Sequence, residues 1–381
     1  MSRRSFLITF GAALPCYAGT YRHANRQDLG VRGGTDWHVS PSFKFDTLCL
    51  LNALTGDPFY LQYYKEEYAK FSPRLTPTAR AALTNLRRKL KDDNKNIISA
   101  FLSLHFSAAD DETLDDMLRT LKNNKLMKRS LKKTTYYDEN GRRLFESVRG
   151  DLKEIFLFLK AIGFEAYWRQ NVLPKVRQRI IEISKDLSKY DVVAEVEAHL
   201  GYALPSNRIT VYMLYYARPH GIKITGTRFL CDASYPLKVV AQNAVHEMMH
   251  PPYDLSRDRE LRDALDSLRA DVFMMDKVTN HNPSFGYNSF EGYIEENCVR
   301  ALDQLIGERL GIASDARRRW KDEDDAMHVF AVALYSLMKQ EDYNRRKEAF
   351  RVFLNRAIRS GKLGAGNIKP IYDAFYSGHL Y

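Results

Sequence analysis

The chain has 381 residues, 45% hydrophobic and 28% charged, which excludes a disordered chain and allows one large or two modest domains. Its formal net charge is +11, but lysine and arginine are interspersed with acidic residues along the helical stretches, as on a solvated surface. No RNP, zinc-finger or P-loop pattern accompanies that charge, so we expect no nucleic-acid partner.

The amino-terminal residues 1–18 have the pattern of an export signal. Residues 2–7 read Ser-Arg-Arg-Ser-Phe-Leu and precede a short apolar run with a small-residue exit near Ala18. This order resembles the twin-arginine signal of bacterial exported proteins, so we expect a periplasmic location. The alternative is an amino-terminal β-strand preceded by chance arginines. No run reaches the roughly 20 apolar residues of a permanent span, so we expect no stable membrane insertion after signal removal.

Helical patterns dominate residues 43–200. Apolar and aromatic residues recur at spacings of three and four residues, which is the period of a helix. Thr76 and Pro77 are a favourable N-cap and first helical residue. The predicted helices are two segments flanking a turn at 56–58, then 77–91, 96–106, 110–121, 144–161, 164–187 and 191–200. Residues 138–141 are expected to form a turn, and the 164–187 helix is expected to kink before Pro174.

The hydrophobic period changes at Arg208. Residues 209–216 are rich in β-branched and aromatic residues, and after a turn at 219–221 a second strand is predicted over 222–231. These strands stand directly before a predicted helix from Leu237 to His250, which Pro251 and Pro252 stop. Further helices are predicted over 256–277, 289–310, 314–339, 344–359 and a short last segment ending near Tyr376.

Together these elements predict an α+β fold that is predominantly α-helical, with a small antiparallel β-sheet before the 237–250 helix. After the export signal at 1–18 we expect a helical region at 19–207, a core at 208–312 and a helical region at 313–381. No linker clearly separates these regions, so the alternative is one continuous globular unit from residue 41.

The predicted helix at 237–250 contains the sequence His246-Glu247-Met248-Met249-His250. On a helix the two histidines lie one turn apart on the same face, where two imidazoles can hold one zinc ion. Glu247 is then placed to act as a base on a water activated by the metal. The alternative is a pair of structural histidines, which leaves unexplained the cost of burying a carboxylate beside two methionines.

A zinc hydrolase needs a third protein ligand and keeps one position for water. No histidine lies between His250 and His281, and the later run at 293–300 carries two consecutive glutamates, Glu295 and Glu296, amid Tyr, Ile, Cys and Val. Their side chains project about 100° apart on a helix, so both cannot serve equally. Glu296 aligns with the neighbours three and four positions away, so we predict it as the third ligand. Glu295 in that role and a surface pair are the alternatives.

This arrangement resembles the gluzincin branch of the zincin metallopeptidases, in which His-Glu-x-x-His is followed by a helical glutamate. The run Glu-x-x-Val-Arg-Ala from residue 296 and the proline after His250 resemble a poorly characterised bacterial family of predicted peptidases. The resemblance implies that Zn²⁺ is bound by His246, His250 and Glu296, with Glu247 as the catalytic base. It makes 208–312 a zincin-like catalytic core and implies an edge strand, 222–231, along the substrate cleft.

The sequence departs from the thermolysin-like pattern in two ways. That pattern has an aspartate four residues after the third ligand, which orients the first histidine, but residue 300 is arginine here. Asp303 lies on nearly the same helix face as Glu296 and is a candidate for the orienting role. The 45 residues between His250 and Glu296 also exceed the thermolysin-like spacing, and the 256–277 helix fills that insertion.

The function predicted from these residues is zinc-dependent hydrolysis of a peptide or protein substrate. Tyr287 and Tyr293 are candidates for stabilising the oxyanion, although packing roles are the alternative for both. Two other functions stay open at this point. One is a zinc hydrolase acting on a non-peptide amide or ester, and the other is an exported helical binding protein with a structural or vestigial metal site.

Overall fold

The computed structural model describes residues 8–9, 34–132, 134, 137–282, 285, 287, 289–343 and 348–378. It confirms the predominantly helical α+β class, with 67% helix and a small mixed sheet. The predicted export signal lies outside the described residues, apart from the two-residue strand β1 (Ile8–Thr9). No helix within the described ranges is long and apolar enough to cross a membrane.

The described residues divide into two compact units. Unit 1 comprises the described parts of Met1–Asp36, Ser188–Arg208 and Pro236–Tyr381. Unit 2 comprises the described parts of Trp37–Leu187 and Ile209–Tyr235. All the side chains of the predicted metal site therefore belong to unit 1.

Unit 2 is a set of helices with a sheet. Its helices are α1 (Phe43–Leu54), α2 (Pro58–Phe71), α3 (Pro77–Arg87), α4 (Ile98–Phe106), α5 (Leu114–Lys122), α6 (Asn124–Leu131), α7 (Glu139–Ala161), α8 (Phe164–Tyr167) and α9 (Leu173–Leu187). The predicted cap of α3 is present, because the Thr76 hydroxyl accepts a hydrogen bond from the Ala79 amide at 3.2 Å. The predicted kink before Pro174 is a π-helical turn, Trp168–Val172, between α8 and α9.

The turn predicted at residues 138–141 is instead the start of α7. The Asp138 carboxylate accepts a hydrogen bond from the Gly141 amide at 2.6 Å, which makes Asp138 an N-cap. The same short polar residues that favour turns also satisfy the free amides at a helix start. The helix therefore begins five residues before its apolar period does.

Four neighbouring strands of the sheet are β2 (Asp36–Pro41), β3 (Arg208–Leu214), β4 (His220–Lys223) and β5 (Arg228–Asp232), in the order β4-β5-β3-β2. The single strand predicted over 222–231 is thus two strands, joined by a turn in which Gly226 has φ of +61°. β4 and β5 are antiparallel, and β5 inserts beside β3 and runs parallel to it. The sheet is mixed, where the sequence predicts an antiparallel one.

Unit 1 is built around a long buried helix. Its helices are α10 (Val192–Leu200), α11 (Leu237–Met248), α12 (Arg259–Ser267), α13 (Val272–Asn280), α14 (Phe290–Arg309), α15 (Ala316–Asp322), α16 (Val329–Gln340), α17 (Phe350–Arg359) and α18 (Ile368–Ser377). Helix α14 packs against α10, α11, α13 and α16. Because α14 is central and α11 packs against it, side chains between these two helices can form a buried site.

Three predicted helices of unit 1 end or break earlier than expected. Helix α11 ends at Met248, before His250, because the residue preceding a proline is disfavoured in the helical region. The predicted 256–277 helix is interrupted at Asp271, whose extended backbone starts α13 and whose carboxylate caps it. The predicted 314–339 helix is interrupted by three consecutive left-handed residues, Asp324–Ala326, between α15 and α16.

Gly201 is the residue on which the end of α10 depends. It ends the helix at a φ of +78°, and an added Cβ would lie 2.5 Å from the Cβ of Ala349. Gly311 also has a positive φ, +69°, but an added Cβ there meets nothing within 4 Å. Substitution of either glycine would strain the backbone, but only substitution of Gly201 would also cause a steric overlap.

Gly201→Ala should destabilise unit 1 more than Gly311→Ala. Both substitutions should cost about 1–2 kcal/mol for the left-handed backbone. Only Gly201→Ala should add the overpacking term, typically about 1–3 kcal/mol. The free energy of unfolding, measured by denaturant titration of both variants and the parent, tests this difference. Equal losses for the two variants would contradict the close approach to Ala349.

Candidate metal centre

Helices α11 and α14 bring three predicted ligand side chains to one point. His246 lies on α11, His250 follows its end, and Glu296 lies on α14. Their nearest atoms are all within 4.8 Å of one another, and all three residues are buried. The structure therefore assembles the group that the motif and the later glutamate predict.

The separations between the three donor atoms suit a small divalent cation. The two Nε2 atoms of His246 and His250 are 3.1 Å apart, and Glu296 Oε2 lies 3.6 Å and 3.5 Å from them. Ligand bonds of 2.0–2.1 Å in tetrahedral geometry place donor atoms roughly 3.3 Å apart. Glu296 Oε2 is also buried and accepts no hydrogen bond of ordinary length from the described residues. A metal ion would satisfy this oxygen.

His246 is oriented from behind by Asp303. Its Nδ1 lies 2.8 Å from Asp303 Oδ2, so that Nε2 faces the other two donors. Asp303 is itself held by the guanidinium of Arg319, whose Nη2 donates to Oδ2 at 3.0 Å and whose Nη1 donates to Oδ1. The orienting role that the sequence suggests for Asp303 is thus matched by its position.

Glu295 and Glu296 take different places, although the sequence treats them as alternatives for one role. Glu295 Oε1 lies 3.0 Å from Nδ1 of His250, on the side of the ring away from the ligand group. Glu296 faces the two Nε2 atoms. Each of the two histidines therefore has a carboxylate behind it, and Glu296 alone completes the ligand group.

In the sequence, Arg300 belongs to a run that resembles a peptidase family and departs from the thermolysin-like pattern. Neither feature assigns it a contact, yet it contacts the site directly. Its Nε donates to Glu296 Oε1 at 2.7 Å, its Nη1 to Glu323 Oε2 at 2.8 Å and its Nη2 to Asp324 Oδ2 at 3.0 Å. Arg319 Nε also lies 3.4 Å from Glu323 Oε2. The available signal was the spacing of four between residues 296 and 300, which is the spacing of helical ion pairs.

These contacts form a buried circuit with excess negative charge. It runs from Glu296 through Arg300, Glu323, Arg319 and Asp303 to His246, with Asp324 as a branch. Four carboxylates face two guanidinium groups, so with all four carboxylates ionised and His246 neutral the circuit carries two negative charges in excess. A divalent cation at the ligand group would balance that excess.

The pKa shifts point the same way. Burial lowers the pKa of His250, but hydrogen bonds and charges from Glu295 and Glu296 outweigh burial and raise it to about 10. Burial likewise opposes a charged His246, yet Glu296 and Asp303 raise its pKa. The pKa of Glu296 is raised by burial but lowered further by His246 and Arg300, and ends well below its usual range. The surroundings thus favour positive charge between these side chains.

The predicted base Glu247 and the two candidate oxyanion-stabilising tyrosines, Tyr287 and Tyr293, lie near the ligands in the sequence but have different surroundings. Glu247 follows His246 on α11 and is only 1% exposed. Tyr293 donates its hydroxyl to the Met327 carbonyl at 2.6 Å, which is the packing role left open for it. The ring of Tyr287 packs edge-on against the ring of His328. Burial raises the pKa of Tyr287 well above its ordinary value, and the charge of Glu296 is the next largest cause of that rise. Of the two tyrosines, Tyr287 is the one within electrostatic range of the ligand group.

His250→Ala should abolish metal retention, because it removes one of three donor atoms. We expect the purified parent to carry one equivalent of metal after desalting and the variant to carry almost none, measured by elemental analysis. His38→Ala, at an exposed histidine of β2, is the matched control and should retain the parent's metal. Equal metal content in parent and His250→Ala would show that the metal lies elsewhere.

The chain matches no protein-family model, no curated protein and no solved structure. The resemblance to gluzincins therefore rests on the motif and on its geometry. That geometry is a buried group of His246, His250 and Glu296, compatible with a zinc site.

Proposed function

We propose that the protein is a zinc-dependent peptidase that hydrolyses peptide bonds of a peptide or protein substrate. The observation that carries this proposal is the convergence of two imidazole nitrogens and one carboxylate oxygen, with a further buried carboxylate next in the chain. Two histidines and one glutamate are a common protein ligand set of catalytic zinc, which keeps a fourth position for water or substrate.

The donor separations favour zinc over a metal that takes its ligands at right angles. Two histidines and a carboxylate also bind non-haem iron on one face of an octahedron. Bonds of similar length at right angles would place the donors roughly 3.0 Å apart, against roughly 3.3 Å for a tetrahedral site. The three separations are 3.1 Å, 3.5 Å and 3.6 Å, and their mean of 3.4 Å is nearer to the tetrahedral value.

The surrounding residues have defined tasks in this proposal. Asp303 and Glu295 hold the Nδ1 sides of His246 and His250, so that both Nε2 lone pairs face inward. Zinc held there would supply Lewis-acid chemistry, lowering the pKa of a water and polarising the scissile carbonyl. Glu247 would accept the proton of the attacking water and pass it to the leaving amine.

Glu247→Gln should abolish turnover while leaving the metal in place. The amide cannot accept the proton, and a loss of about 10²- to 10⁴-fold is expected for removing a general base. Cleavage of a peptide library by the zinc-loaded protein, with metal content measured on the same samples, tests this. Glu291→Gln, at an exposed α14 glutamate that pairs with Arg269, is the matched control and should keep full activity.

Two results would contradict the proposal. Undiminished cleavage by Glu247→Gln would exclude Glu247 as the base. A zinc-loaded parent that cleaves no peptide but hydrolyses amides or esters of other chemistry would assign the site to a different hydrolase.

A further inference from the structure

The two oxygens of Glu296 have different surroundings. Oε1 accepts a hydrogen bond from Arg300 Nε at 2.7 Å. Oε2 is the oxygen that faces His246 and His250. A carboxylate can bind a metal through one oxygen or through both, and the second mode fills one more coordination position, which water or substrate would otherwise use. The partner of Oε1 therefore bears on how Glu296 binds.

Arg300 is fixed in the orientation that this contact requires. The side chain is fully buried, and its two remaining nitrogens donate to Glu323 and Asp324 at 2.8 Å and 3.0 Å. The planar guanidinium thus has an acceptor at each of its three nitrogens, and it cannot swing away from Glu296 without leaving a buried carboxylate uncompensated.

The acceptor Asp324 is itself held in place from two sides. It starts the left-handed turn Asp324–Ala326, with a φ of +45°, a conformation that residues other than glycine rarely adopt. Its Oδ2 also lies 2.9 Å from Nε2 of the buried His328 on the amino-terminal side of α16. A strained turn retained beside a binding site indicates that the position of its side chain matters.

We propose that Arg300 is a positioning residue that keeps Glu296 a one-oxygen ligand and so keeps a coordination position of the metal open. The proposal rests on the metal site described under the proposed function. Arg300 occupies Oε1 with a charge-assisted hydrogen bond, the stronger class of such bonds, and leaves Oε2 alone to the metal. Without Arg300, both oxygens of Glu296 are available to the metal, and a metal that also keeps its water becomes five-coordinate, with no position left for the substrate.

The same circuit couples this task to the orientation of His246. Glu323 Oε2 accepts from both Arg300 and Arg319, and Arg319 grips Asp303, which holds His246. A change at Arg300 should therefore act on the arrangement of ligands around the metal, more than on the number of protein residues that hold it.

Arg300→Lys in the cobalt(II)-substituted protein is the direct test, because the visible absorption of cobalt weakens as its coordination number rises. Lysine keeps the charge but, as a single ammonium, cannot reproduce the three-way fork. We expect cobalt to bind at the parent's stoichiometry and its visible absorption to fall severalfold. X-ray absorption should show an added oxygen ligand. Arg309→Lys, at an α14 arginine that pairs with Glu195 and is 48% exposed, is the matched control and should leave the spectrum unchanged.

Asp324→Asn provides the second variant where Arg300→Lys does not fold. It keeps Arg300 and weakens one of its anchors, so the cobalt absorption should fall in the same direction by a smaller factor. The role of Arg300 is overturned by a parent-like spectrum of cobalt-loaded Arg300→Lys. Where that variant does not fold, a parent-like spectrum of cobalt-loaded Asp324→Asn overturns it. Either result is still compatible with the metal site. A parent that binds no cobalt overturns the metal site itself.

Discussion

The ion pair between Glu296 and Arg300 is the interaction on which the candidate site depends. Both side chains are fully buried. Removing two charges from water costs several kcal/mol per ion, which the pair recovers only with good geometry and additional partners. Glu323 and Asp324 provide those partners for Arg300. On the other side, Glu296 Oε2 faces two imidazoles and accepts no hydrogen bond of ordinary length from the part of the chain that the structure describes. A divalent cation would complete the electrostatics of the group.

Stability alone does not explain such a circuit. Replacing a buried ion pair with apolar residues is often neutral or stabilising, whereas removing one partner typically costs about 3–5 kcal/mol. The residues at 296, 300 and 303 follow the spacing of one helix face, so α14 presents them together toward α11 and the turn at Asp324–Ala326. A cation bound at this face of α14 would explain why the core contains so many buried charged side chains.

The motif residues could be predicted from the sequence because residues four apart meet over one helical turn, and His250 keeps that place although α11 ends at Met248. Glu296 could be predicted because a carboxylate buried among apolar neighbours is costly unless it has a partner, such as a metal ion. The roles of Glu295, Asp303 and Arg300 depend on which face of α14 meets α11, and that is decided by tertiary packing. The left-handed turn at Asp324–Ala326 lies at the end of a charged run at 321–325, and such a run is equally compatible with the solvated face of a helix. The parallel β3–β5 pair was missed for a similar reason: the place where β5 inserts is not encoded in either strand.

The most direct test of the central claim is a crystal structure of the metal-loaded protein with anomalous diffraction measured across the zinc absorption edge. The account predicts one anomalous peak, about 2.0–2.2 Å from Nε2 of His246, Nε2 of His250 and Oε2 of Glu296. A structure with no peak between these three atoms, or with the peak bound by other side chains, would contradict it.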